Sequence, residues 1–317
     1  METNDDMFIW VEKYRPQKVV DCILPERIKG FFTEIAKGNW HDAPNMLLSG
    51  GAGCGKTSVA KALCSEMGID SIIINCSEDG NIDTLRTKIR NFASCISLSG
   101  GGKVVILDEF DYANPQSMQP ALRGFMEEFA KNCRFILTCN YKNKVIAPLH
   151  SRCTCIDFRY DNKEKKELSS QFFERVKFIL ENENVKYDDK VIARLVVKYV
   201  PDFRRLLNEL QRYSTSGAID SGILSETGDI RIEELMTHMK SKNLTEIRKW
   251  SFSNLDNDQS IIFRKIYDSL FENLDTASIP SAVIIIADYQ YKSAFVADQE
   301  INLVACITQL ALECNFK

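Results

Sequence analysis

Residues 45–57 read NMLLSGGAGCGKT, and the order of elements in this stretch decides the fold. NMLLSG is a short apolar run of strand type that breaks into glycines, and KTSVAKALCSEMG after it carries apolar residues at helical spacing. Strand, loop and helix follow one another, and Gly50 to Thr57 satisfies G-x-x-x-x-G-K-[ST] in the context that this motif requires. The physical logic is a phosphate cradle. Glycines let the backbone of Ala52, Gly53, Cys54, Gly55, Lys56, Thr57 and Ser58 curl around an anion, and the helix start adds partial positive charge. Lys56 is expected to reach the outer phosphates of ATP and Thr57 to hold Mg2+. A chance glycine turn is the alternative, and the flanking strand and helix argue against it.

Working outward, SIIINCS, KVVILDEFD, RFILTCN and CTCIDF are further apolar strand-type runs separated by helical segments. Together they predict a five-stranded parallel sheet with helices on both faces, an α/β core over 1–159. Beyond Phe158 strand patterning stops. NKEKKELSSQFFERVKFILENENV, DKVIARLVVKYV and DFRRLLNELQRYSTSG read as three amphipathic helices of a small all-α domain, 160–228. A Gly/Ser-rich turn region then leads into five helical patterns, RIEELMTHMKSK to INLVACITQLALECNF, predicting a second all-α domain over 229–317.

KVVILDEFD ends its apolar run in Asp108 and Glu109, at the carboxyl edge of the sheet where ligands bind in such folds. Two carboxylates suit two tasks. Asp108 is expected to orient Mg2+ and Glu109 to polarise a water for attack on the γ-phosphate. A solvated pair of strand-end acids is the alternative, disfavoured by the phosphate loop upstream.

Bulk properties agree with this outline. At 317 residues the chain is long enough for two or three domains. Charged residues make up 26% and hydrophobic ones 44%, the balance of a globular chain rather than a disordered or membrane one. A net charge of −4 selects no partner and does not exclude nucleic acid, which needs only a local basic surface. The start, METNDDMFIWVEKYRP, lacks the basic and apolar segments of a secretory signal, and no apolar run approaches the ~20 residues of a membrane span. The 11 cysteines, odd in number and scattered, suit reduced thiols. A cytoplasmic location without a membrane partner is therefore expected.

The phosphate loop, the Asp-Glu pair, TCN at Thr138 to Asn140, SRC at Ser151 to Cys153 and PDFRRLLNELQ from Pro201 occur in the order found in AAA+ sliding-clamp loader ATPases. VEKYRPQKVVDCILP resembles their N-terminal signature, and ALRGFMEEF with the PDFR variant resembles most the T4-type bacteriophage large subunits, over nearly the whole chain. The resemblance implies an AAA+ P-loop NTPase core, a helical lid domain and a helical collar that joins subunits into a ring. It implies a DNA- and clamp-stimulated ATPase for DNA replication. ATP binding would drive assembly with the clamp and its opening, and hydrolysis on primer-template DNA would release the closed clamp. The implied partners are the sliding clamp, a small clamp-loader subunit and further copies of this chain in a pentameric ring, and primer-template DNA read without sequence preference.

Residue by residue, the resemblance places Val11, Glu12, Lys13 and Tyr14 near the nucleotide and Ile23 against the base, with Glu12 and Lys13 also readable as a simple N-terminal strap. Asn140 would position the attacking water, although an Asn at a strand end often only closes a turn. Arg204 matches the second sensor, touching the γ-phosphate from the lid, while Arg205 reads as a surface ion-pair partner. Gln119 and Arg123 lie on the helix that couples DNA to the nucleotide, with a solvated face the alternative for Gln119. Arg86, Arg90 and Lys144 would grip DNA phosphates, and Gly80 and Asn81 stand where a further basic residue is often found. Phe92, Ile96 and Leu98 would enter a hydrophobic pocket of the clamp, with core packing the default for apolar residues at this spacing.

PLHSRCTCIDF packs His150, Cys153 and Cys155 around Arg152 and raises the question of zinc. The cysteines are two apart on an expected strand and His150 has no paired ligand spacing, so the thiols read as packing. Arg152 instead matches the arginine finger that would act in trans on the ATP site of an adjacent subunit. Competing functions are another AAA+ DNA-associated motor or a helicase-loader-like protein, a lone nucleotide kinase, and a structural subunit that binds ATP without cleaving it.

Overall fold

Five strands form one parallel sheet in the computed structural model, which describes residues 8–78, 82–95, 102–215, 217–220, 223, 232–255, 259–293 and 295–317. Ahead of it run α1 (Trp10–Lys13) and α2 (Glu26–Lys37). The strands are β1 (Met46–Ser49), β2 (Asp70–Asn75), β3 (Lys103–Asp108), β4 (Cys133–Cys139) and β5 (Thr154–Asp157), in the order β2-β3-β4-β1-β5 with every pair parallel. Register sets Ser49 opposite both Cys139 and Asp157, and Asn75 opposite Asp108, so the carboxyl ends of the strands share one edge. That edge is where the phosphate loop leaves β1.

Apolar residues fill both faces because consecutive side chains of a strand point to opposite sides. Met46, Leu48, Val104, Ile106 and Ile136 pack on one side with Ile28 and Phe32 of α2 and Val59 and Leu63 of α3 (Lys56–Glu66). Leu47, Val105, Leu107, Phe135 and Leu137 pack on the other with Ile89 of α4 (Ile82–Ser94) and Leu122 and Phe125 of α5 (Met118–Glu128). Helices thus cover both faces, as the unbroken apolar runs require.

The chain divides into two compact units, Met1–Ile223 and Leu224–Lys317. The first contains the sheet, the short α6 (Ala147–His150), and α7 (Asn162–Asn182), α8 (Asp189–Tyr199) and α9 (Phe203–Ser214). A capping box starts α7: the Glu164 N–H donates to Asp161 Oδ1 (2.7 Å) and the Asp161 N–H to Glu164 Oε2 (3.0 Å). Asp188 and Asp202 cap α8 and α9 more simply, each side chain accepting one backbone N–H, from Lys190 and Arg205. Strand structure does not end at Phe158, contrary to the sequence pattern. β6 (Lys186–Tyr187) and β7 (Ala218–Ile219) pair in parallel, each too short to carry a readable apolar period.

The second unit holds α10 (Ile232–Lys240), α11 (Leu244–Ser253), α12 (Gln259–Asn273), α13 (Ile279–Lys292) and α14 (Gln299–Glu313). They match the five helical patterns, and Leu235, Trp250, Phe263, Ile266, Leu303 and Ile307 form their shared core. All eleven cysteines are free, and all but Cys95, Cys153 and Cys155 are buried. Burial pushes the Cys64, Cys133 and Cys306 thiols up to about 12, so they are neutral apolar filler. Among the described residues no helix is long and apolar enough to cross a membrane.

Leu137, fully buried in a strand with neighbours on both sides, measures this core. Leu137→Ala is expected to lower unfolding stability by roughly 2–5 kcal/mol, read from urea unfolding of wild type and variant.

Candidate active site

α3 begins at Lys56 directly from the glycine loop, with Gly55 at φ 93° and Gly53 at φ 69°. The start of α9 docks on this loop. The Phe203 N–H donates to Gly53 O at 3.2 Å, and a Cβ at position 53 would come within 1.8 Å of Asp202 Oδ1. Only glycine fits there, for the close approach and for the left-handed backbone together. The same contact places the first turn of α9, and with it Arg204, on the cleft.

Lys56 is only 8% exposed. Its ammonium donates to Gly50 O (2.8 Å), Gly51 O (2.6 Å) and Asn140 Oδ1 (3.0 Å), so the charge is held at the loop by three oxygens. Asn140 therefore does more than close a turn. Its side chain, from the end of β4, meets the phosphate-loop lysine, while its N–H donates to the buried carboxylate of Asp111 at 3.3 Å.

The strand-end acids are tied to the loop by hydroxyls. Thr57 Oγ1 donates to Asp108 Oδ1 at 2.7 Å, and Thr138 Oγ1 donates to the same oxygen at 2.5 Å. Thr138 Oγ1 in turn accepts the Glu109 N–H at 3.1 Å. Glu109 sits at φ 53°, a region that residues other than glycine seldom occupy, and lines the cleft. The oxygens of Thr57 and Asp108 are hard donors lying together beside the phosphate loop. They fit Mg2+, which takes few protein oxygens and completes its shell with phosphate and water.

The remaining walls are apolar and cationic. Val11, Tyr14 and Ile23 line the cleft, joined by Leu24, Phe172 and Phe203. Glu12 and Lys13 do not line it. Glu12 takes both ends of the Arg15 fork, which holds its carboxyl below the usual range, and Lys13 pairs with Glu183 at 2.9 Å. Arg15, Arg175 and Arg204 bring positive charge to the cleft, and Lys61 stands close enough that Arg15 and burial together lower its pKa, burial most.

Other sequence-derived candidates lie outside the cleft. Gln119 is fully buried, not on a solvated face: its Nε2 donates to Ala113 O and Lys144 O (3.0 Å each) and its Oε1 accepts the Ile146 N–H (2.8 Å). Arg123 approaches Glu127 at 3.9 Å, and Arg152 binds Glu127 at 2.7 Å. Arg86, Arg90 and Lys144 are exposed; Arg90 pairs with Glu128 at 3.6 Å, and the Lys144 ammonium lies over the Tyr112 and Tyr141 rings. Phe92 is half-buried against the core, with the Lys103 ammonium over its ring. Ile96, Leu98, Gly80 and Asn81 lie outside the described residues. Arg205 lies over the Tyr199 ring. Cys153 packs on the core, but Cys155 is exposed with Sγ 3.8 Å from His150 Nδ1. No group of three or more His, Cys, Asp or Glu among the described residues could hold a metal ion.

Sequence reasoning missed Thr138, Asp111, Arg15 and Arg175. Thr138 had a signal, since a polar residue near the end of an apolar strand sits at the ligand edge, whereas Asp111 lies in the 3-10 turn Phe110–Tyr112 beyond β3. Arg175, in the middle of α7, had none. Gln119→Leu is expected to leave Lys144 O, Ala113 O and the Ile146 N–H short of partners at a cost of about 1–3 kcal/mol for each group left buried and unpaired, read from urea unfolding.

Known proteins resemble this chain along most of its length. The AAA model, ATPase family associated with various cellular activities, covers residues 46–160, and the model for the sliding-clamp-loader large subunit, AAA+ ATPase lid domain, covers residues 164–225. The chain is 35% identical to the sliding-clamp-loader large subunit of Enterobacteria phage T4 and 34% identical to that of Escherichia phage RB69, over 99% of each chain. It is 29% identical to the replication factor C small subunit of Thermofilum pendens, over 96% of both chains. Among solved structures, the RuvB Holliday junction branch migration motor of Thermotoga maritima matches with a TM-score of 0.51 at 20% identity, over 67% of this chain and 71% of that one, a likeness of fold. The chain therefore belongs to the sliding-clamp-loader large-subunit family of AAA+ proteins, and it is a nucleotide-binding ATP hydrolase.

Proposed function

We propose that this chain is the DNA-dependent ATPase subunit of a replicative sliding-clamp loader, in which bound ATP favours an assembly that holds the clamp open and hydrolysis on primer-template DNA releases it closed. The observation that carries the reading is the bonded line from Thr57 through Asp108 and Thr138 to the Glu109 backbone. It ties the phosphate loop to the backbone of Glu109, the acid to which this reading gives the activation of water.

In this reading Thr57 and Asp108 would hold Mg2+, which when bound would neutralise developing charge on the phosphates. The chain's own groups do the positioning. The loop backbone and Lys56 bind the β- and γ-phosphates, Glu109 accepts the proton of the attacking water, and Asn140 orients that water. Val11, Tyr14 and Ile23 enclose the base, and Arg204 contacts the γ-phosphate from the lid. Arg152 reaches the nucleotide of an adjacent subunit, so full activity needs a ring of this chain, a small subunit and the clamp. Arg86, Arg90 and Lys144 hold DNA phosphates, α5 with Gln119 and Arg123 links them to the site, and Phe92, Ile96 and Leu98 meet the clamp. The division of labour is 1–159 for nucleotide chemistry, 160–228 as lid and 229–317 as collar. The matches to AAA and lid models, and to clamp-loader subunits over the whole chain, support it.

Three measurements test the reading. Turnover of ATP by the assembled complex should rise when primed DNA and clamp are added together; a rate indifferent to both would refute it. Glu109→Gln should abolish turnover while ATP still binds, whereas Lys56→Ala should lose binding itself. Arg152→Ala should lower ring-dependent hydrolysis by about 10³-fold, the scale of an arginine finger, with nucleotide binding by the isolated chain unchanged.

A further inference from the structure

Arg152 is held by its own chain. Its Nε and Nη2 both donate to Glu127 Oε1, at 3.0 and 2.7 Å, and its Nη1 donates to Pro148 O at 3.0 Å. A guanidinium carries five N–H groups, so three are engaged and two remain, one on each terminal nitrogen. Such a pair can meet two oxygens of a phosphate side by side. The anchor is well placed for this. Glu127 lies in the last turn of α5, and the backbone of Arg152 is fixed after α6 by its N–H to Leu149 O at 3.1 Å. Arg152 is the main reason that the Glu127 carboxyl sits below the usual range, with Arg123 adding a smaller pull in the same direction.

We propose that Glu127 is the positioning residue of the trans-acting arginine, gripping the Nε edge of the Arg152 guanidinium so that its two remaining N–H groups form a ready fork for the γ-phosphate of a neighbouring subunit's nucleotide. This rests on the reading of Arg152 as the group that reaches that nucleotide. The physical reason is entropy. An exposed arginine has many rotamers, and a fork that must first be ordered delivers less of its interaction to the transition state. The pair itself is solvent-exposed, with Glu127 at 60% and Arg152 at 29% of full side-chain exposure. An ion pair of that kind adds little to fold stability, so its removal leaves the fold in place.

The test uses the complete complex with partner subunit, clamp and primed DNA, and steady-state ATP hydrolysis. Glu127→Ala should lower kcat roughly 10- to 100-fold, the loss that follows from misplacing a reacting group by about an ångström. KM for ATP, ring assembly and the thermal midpoint should be unchanged. Glu127→Gln, which keeps an acceptor oxygen, should restore most of the rate, and Glu127→Ala should add nothing in an Arg152→Ala background. An unchanged kcat would overturn the proposal. So would a higher one, which would make Glu127 a latch, or an equal fractional loss with and without Arg152. If Arg152→Ala itself left turnover intact, the trans-acting reading would fall first and this inference with it.

Discussion

One carboxylate oxygen organises the site. Asp108 Oδ1 accepts the Thr57 hydroxyl from the start of α3 and the Thr138 hydroxyl from the end of β4, at 2.7 and 2.5 Å. Three elements separated by tens of residues meet there, and Glu109 is bonded into the same cluster through its backbone. The arrangement follows from sheet order. β3, β4 and β1 are consecutive neighbours, so their carboxyl ends deliver the acid pair, Thr138 and the phosphate loop to one edge.

Around that centre polar contacts join the N-terminal strap of the first unit to its helices. The Trp10 N–H donates to Gln211 Oε1 at 3.0 Å, Arg175 donates to Tyr14 O at 3.0 Å, and the Tyr14 hydroxyl donates to Glu183 Oε1 at 2.5 Å. The N-terminal strap is thereby bonded to the lid helices while α9 rests on Gly53. Loop, strap and lid residues line one cleft together. A ligand that contacts all three can favour one arrangement of them over another, which is what a nucleotide-driven switch needs.

The fold was legible because each of its signals is local. The unbroken apolar runs in NMLLSG and KVVILDEFD mark strands buried on both faces, spacing in KTSVAKALCSEMG marks a helix, and the loop between fixes their order. β6 and β7 escaped because two residues make no period. In the site, residue types with one chemistry were readable, including Lys56, Thr57 and Asp108. Residues with several possible partners were not. Glu12 and Lys13 turned to Arg15 and Glu183, and Gln119, which looked as much like a surface residue as a buried one, is enclosed on all sides.

The sequence by itself therefore determined the strand and helix order, the phosphate loop and the acids at the end of β3, because backbone geometry and side-chain chemistry act over a few neighbouring positions. Only the tertiary structure decided that Thr138 bridges the two acids, that Asn140 meets Lys56, that Gln119 binds the Lys144 loop and that Glu127 holds Arg152. Each of these pairs joins residues from different elements. Their meeting depends on strand order, register and helix placement, which no single stretch of the chain encodes.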